Sequence, residues 1–264
     1  MRHPGRSTIR PRHLIRLGLL VFTGLLIPHS AALAQSSDDS LDDTMHRYPC
    51  PEQNRTQIEL GGCAAQLQKS AERYLKETYE NVLPRVNGAK RTALRTSQAA
   101  WAHYRDRDCD VNYEAFRGGS IAQEEYGLCM AWSASVRGRE LERIFGVRAW
   151  PSRTKETIAC LGPGVAEAEV LACATPLYAV ARGELDQAYR SVLEEIFSSP
   201  IRSLAKVKMQ EAQWTWGRYR DADCELVRLM GFMASGGHTS SDAARIVCLT
   251  ILTQERTRRL RDLW

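Results

Sequence analysis

The sequence predicts an all-α fold of two tandem helical domains, each of about three helices and stapled by disulfides. Three observations carry this: a twelve-residue signature that occurs twice, eight cysteines in two sets of similar spacing, and apolar residues at helical intervals with no long alternating strand pattern.

The signature is Gln98-x-x-Trp101-x-x-Tyr104-Arg105-Asp106-x-Asp108-Cys109, repeated as Gln213-x-x-Trp216-x-x-Tyr219-Arg220-Asp221-x-Asp223-Cys224. Seven identities at matched spacing within twelve residues mark two copies of one unit. Aligned outward from the signature, the copies span 48–147 and 157–264, joined by a linker at 148–156. So short a linker predicts packing between the copies, with Trp150 between them.

Residues 1–34 read as a secretory signal peptide. Arg2, Arg6, Arg10, Arg12 and Arg16 precede an apolar run from Leu17 to Ile27, and Ala32-Leu33-Ala34 offers a cleavage site. The run is shorter than the roughly 20 residues a membrane span needs; the rival reading is an uncleaved anchor. Cleavage after Ala34 would leave a periplasmic or secreted chain with no stable membrane anchor, opening on a flexible acidic tether at 35–47. Of the 36 Lys and Arg, 5 lie in the signal, so 31 remain against 31 acids. The basic balance belongs to the signal and gives no support to nucleic-acid binding.

In each copy a helix is expected after the second cysteine. Leu67, Ala71, Tyr74, Leu75, Thr78 and Leu83 share one apolar face, as do Leu177, Val180, Ala181, Leu185, Ala188 and Val192. Pro84 and Asn87-Gly88 close the first of these helices, whereas Ser199-Pro200 opens the next helix of the second copy. That second helix carries the signature, from about Ala89 to Phe116 and from about Pro200 to Met233. Gln98, Trp101, Arg105 and Asp108 share a face, which predicts Trp in the core and an Arg–acid pair one turn apart at its edge. Gly118-Gly119 and Gly236-Gly237 break these helices, and a third follows, with Ser120 or Ser240/Ser241 as N-cap. Arg137 and Leu141 match Arg256 and Leu260, counted from Cys129 and Cys248.

The cysteine separations are 13, 46 and 20 in the first copy and 13, 51 and 24 in the second. An even count in an exported chain implies two disulfides per copy, for which three connectivities are open. Nearly equal arms about each glycine pair favour Cys109–Cys129 and Cys224–Cys248, leaving Cys50–Cys63 and Cys160–Cys173 to tie the entering coil to the first helix. The cysteines lack the close pairs or neighbouring His that a zinc site needs, so no metal is expected.

Taken together, a Cys pair, Tyr79 or Tyr189 within a helix, the Gln-to-Cys signature, a glycine pair, a further Cys and an Arg before the last Leu resemble the LprI-type domain, a family named for a lysozyme inhibitor. The resemblance covers nearly all of the chain beyond the signal, twice. It implies an exported, helical, disulfide-containing domain with no cofactor and no catalytic residues to carry over. The duplication, the extra Trp214 and Thr215 and the longer second turn depart from a simple member.

An enzyme would need a placed nucleophile, base or metal. Beyond the signal there are three His, at 46, 103 and 238, at no equivalent positions, and Ser120 lacks a nucleophile elbow. Asp106/Asp108 and Asp221/Asp223 could pair as glycosidase acids, but each has an Arg nearby, which favours ionised structural carboxylates. No catalytic residue is expected. The signature itself serves either as core and network or as an exposed contact patch. The candidate binding residues are the turn tips, Arg117, Gly118, Gly119 and Ser120, and Gly236, Gly237, His238, Thr239 and Ser240, which are otherwise plain solvated turns. Polar tips on a rigid hairpin could reach the acidic groups of a lysozyme cleft, so the resemblance implies an inhibitor acting by blockage. The alternative is an envelope adaptor, bivalent through its duplication, that binds another envelope protein or peptidoglycan.

Overall fold

The computed structural model describes residues 50, 56–147, 160, 165–195, 203–231 and 241–262. Among these residues it is all-α: α1 Gln57–Val82, α2 Gly88–Ala115, α3 Ala122–Ile144, α4 Glu167–Glu195, α5 Ser203–Met230 and α6 Ser241–Asp262. The expected signal, tether and linker, Trp150, and the Ser199-Pro200 start lie outside the described residues.

Two helices start earlier than expected. Thr56 caps α1 in a reciprocal box with Glu59, so the helix opens six residues before Cys63, and the Cys50–Cys63 bridge reaches into its second turn. In the second copy α4 runs from Glu167 through Cys173 and past Pro176. The proline is exposed, so the backbone carbonyl it leaves unbonded is open to water. Conversely α5 ends at Met230, short of Met233, because Gly231 takes a φ of 75° and its N–H closes on the Val227 carbonyl at 3.0 Å. Ser120 does not cap α3: Ile121 holds that position and makes no side-chain cap.

The helices pack in a crossed pattern. Within each copy the first helix lies along the third, α1 on α3 and α4 on α6. Gly138 permits the first contact, since a Cβ there would stand 2.3 Å from the Tyr74 ring. The middle helices instead pack on each other, α2 against α5, and this is the most extensive helix pair in the protein. They run antiparallel: Ser97 meets Asp223, Tyr104 meets Tyr219 and Asp110 meets Lys208, one number rising as the other falls. Leu75, Leu94, Trp101 and Leu141 of the first copy therefore share one core with Val170, Met209, Trp216 and Ile251 of the second.

Four disulfides brace this body: Cys50–Cys63, Cys109–Cys129, Cys160–Cys173 and Cys224–Cys248. Because the copies share their core, urea unfolding with the bridges intact should be one transition, coincident by circular dichroism and tryptophan fluorescence. Two resolved transitions would show that each copy holds itself together.

Candidate functional site

The signature residues converge on the α2–α5 crossing. Tyr104 and Tyr219 stack there, ring centroids 5.6 Å apart and planes within 4°. On either side a fully buried arginine enters from a third helix. Arg137 of α3 donates to Gln98 of its own copy at 3.1 Å, but to Tyr219 at 3.2 Å and Asp223 at 2.8 Å in the other. Arg256 of α6 repeats this in reverse, donating to Gln213 at 3.0 Å, Tyr104 at 3.0 Å and Asp108 at 2.7 Å. The buried aspartate of each signature is thus neutralised by the opposite copy.

This corrects the local Arg–acid pair expected from helical spacing. Arg105 and Arg220 pair instead with the adjoining Asp106 and Asp221, at 2.7 and 2.8 Å, and lie over Trp101 and Trp216. Both tryptophans are buried, so the signature forms core and network and presents no contact patch.

The two halves differ three residues beyond each buried arginine, where Glu140 in α3 corresponds to Arg259 in α6. Burial alone would raise the Asp108 carboxyl, but the charges of Arg256 and Arg259 outweigh it and hold the group below its usual range. Asp223 has Arg137 and the Ser97 hydroxyl, at 2.8 and 2.5 Å. Glu140 is left with a longer 3.3 Å contact to Arg137 and a 2.7 Å hydrogen bond donated by Tyr219. Desolvation pushes Glu140 up to about 7; Arg137 opposes the rise, while Asp223 and Glu255 add to it.

Over the stacked tyrosines, α3 and α6 wall a cleft of about 180 Å³ whose lining includes Trp132, Glu140, Arg143, Glu255 and Arg259. Arg259 lies 3.9 Å over Trp132 and reaches Ser133 and the Cys129 sulfur, at 3.5 Å each. Glu140 pairs with Arg137 and Glu255 with Arg258, so these acids do not stand as an unpaired catalytic couple. Among the described residues no cluster of His, Cys, Asp or Glu could hold a metal ion, and no helix is long and apolar enough to cross a membrane.

A family model described as Lysozyme inhibitor LprI matches residues 50–141 and again 160–260. The chain belongs to the LprI family. No curated protein and no solved structure matches it. Each LprI match contains one signature, one buried arginine and two disulfides, so the unit that defines the family is also the unit that exchanges charges across the crossing. In this LprI protein all four bridges are closed and no cysteine is free, which suits an oxidising compartment.

The first tip residues come together in an exposed turn between α2 and α3. Gly118 has a φ of 86° and Gly119 N–H closes on the Phe116 carbonyl at 2.9 Å. Arg117, its side chain 59 % exposed, is hydrogen-bonded to Glu114 and lies over Tyr113 at 5.9 Å. Its charge is therefore already partnered, and the Glu114 carboxyl is lowered chiefly by that bond. The second tip, Gly236, Gly237, His238, Thr239 and Ser240, lies outside the described residues. Sequence reasoning noted Arg137 and Arg256 only as matched positions and missed their role. The signal available was an arginine repeated within a core helix.

Removing one partner of a buried pair leaves the other charge stranded. Arg137→Ala should therefore cost about 3–5 kcal/mol in urea titrations, and an Arg137→Met/Asp223→Leu double substitution should recover most of it. Glu140 gives a pH test. Between roughly pH 4.5 and 7 the folded protein holds a proton there that the unfolded chain has released, so this contribution is complete at low pH and lost as pH rises through about 7. Stability should fall by on the order of 2 kcal/mol between about pH 5 and 7.5, and Glu140→Gln should flatten that slope. The opposite shift of Asp108 acts only in more acidic solution.

Proposed function

We propose that the chain is an exported, non-catalytic inhibitor that blocks a lysozyme cleft with the α2–α3 tip, residues 1–34 having been removed. The observation that carries this reading is a braced, exposed turn on a body with two LprI matches. The Cys109–Cys129 bridge crosses the hairpin behind the tip, and Arg117, Tyr113 and Tyr126 form a row leading from the turn to the buried sulfurs. Rigidity limits the ordering cost of insertion. The Arg117 guanidinium offers the donors that the paired acids of a glycan-cleaving site would accept. It must first release Glu114, to which it is hydrogen-bonded.

A second reading draws on a different surface. Trp214 is 64 % exposed on α5, with Arg218 over its ring at 4.9 Å, and Leu204 and Val207 are exposed on the same helix. This aromatic and apolar strip on α5 favours an envelope adaptor.

Titration of residues 35–264 into c-type lysozyme, following hydrolysis of bacterial cell walls, separates the two readings. Inhibition near equimolar protein is expected, weakened about ten-fold or more by Arg117→Ala and strengthened by Glu114→Gln. Absence of inhibition with c-type and then other lysozymes, alongside a partner whose capture is lost in Trp214→Ala, would favour the adaptor.

A further inference from the structure

Arg143, near the end of α3, lines the cleft between the copies with its Nε buried and without a hydrogen-bond partner among the described residues. A guanidinium is donor-only and keeps its charge. A buried donor of this kind calls for an acceptor that arrives with a ligand.

The rest of the lining restricts what that ligand is. Trp132, Val136 and Leu252 supply apolar surface, while Ser133 and Glu140 supply polar groups. A wholly apolar molecule would leave the buried Arg143 Nε–H without an acceptor. An inorganic oxyanion would leave the apolar wall uncovered. A sugar ring combines an apolar C–H face with a rim of hydroxyls, and a carboxylate on it gives Arg143 its acceptor. The cleft, about 180 Å³, is smaller than the roughly 300–1,000 Å³ of sites for drug-sized ligands, which suits one ring and not a chain.

We propose that the cleft between the two copies binds a single-ring acidic sugar, its carboxylate on Arg143 and its ring against Trp132, Val136 and Leu252. The raised Glu140 fits this site, because its neutral form removes a competing negative charge and can donate to a hydroxyl. Arg137, Asp223 and Tyr219 face Glu140 within the network, and Glu255 and Arg259 line the same cleft from α6. The site is remote in sequence from the tip and does not depend on lysozyme inhibition.

The test is titration of the whole exported chain with N-acetylmuramic acid and with N-acetylglucosamine, which has the same ring without the carboxylate. Tryptophan fluorescence and calorimetry provide the readouts. Saturable binding of the acid is expected with a Kd on the order of 1 mM or tighter. Binding should be at least ten-fold weaker for the neutral sugar, and equally reduced for the acid on Arg143→Gln. Val136→Phe keeps the arginine but fills the cleft, and should abolish binding while the circular dichroism spectrum stays unchanged. The proposal is overturned by no saturation with the acid, by equal binding of the two sugars, or by full binding to Arg143→Gln. Displacement of the acid by an equal concentration of inorganic phosphate would also overturn it, since the site would then read charge alone.

Discussion

Two buried arginine–aspartate pairs, exchanged between the copies, are the constraint on which the rest of this structure depends. Removing such charges from water costs several kcal/mol per ion, and that cost is offset only where geometry and further hydrogen bonds are complete. Here completion requires both copies at once. Asp108 has no cation from its own α3, because Arg137 is committed to Asp223. Sliding α2 by one turn along α5 would part both ion pairs and the tyrosine stack together. The pairs therefore specify the antiparallel register of the crossing more than they add stability, while burial of Leu94, Trp101, Met209 and Trp216 supplies the favourable term.

The departures from two-fold repetition are as informative as the repetition. Counted from the signatures, Ser97 stands where the second copy has Ala212, and counted from the buried arginines, Glu140 stands where it has Arg259. One half thus places two cations on Asp108, whereas the other places a hydroxyl and an extra acid around Arg137. Two identical copies at this crossing would bring together either two such glutamates or two such arginines. A fused duplication lets opposite charges occupy the paired positions, and the Glu140 carboxyl is raised chiefly by its burial, with Asp223 and Glu255 adding to the rise.

Much of the architecture was legible because it is written in short spacings. The repeated signature, the apolar helix faces and the near-equal arms about the glycine pair depend only on local geometry. Helix starts were less legible where a strong cue distracted from a weaker one. Thr56-x-x-Glu59 is a capping box, but the apolar periodicity becomes clear only after Cys63, and in the second copy the face that begins at Leu177 hid a start at Glu167, ahead of Cys173. The pairing of Asp108 was illegible for a different reason. Its partner lies 148 residues away, and helical spacing offered Arg105 as a plausible substitute. The cleft is invisible to periodicity altogether, since its walls come from four helices.

The fate of the signature decides where function can reside. Its tryptophans are buried, its tyrosines stack on each other, and its second aspartates are satisfied by arginines from the opposite copy. Little of the most recognisable sequence is left to meet a partner. The groups that the architecture does not consume are the exposed Arg117, the exposed Trp214 strip and the cleft around Arg143. These groups are held less tightly than the buried network. Arg117 is itself solvent-exposed and the Arg143 Nε–H has no partner among the described residues, whereas Arg137 could leave Asp223 only by dismantling the crossing.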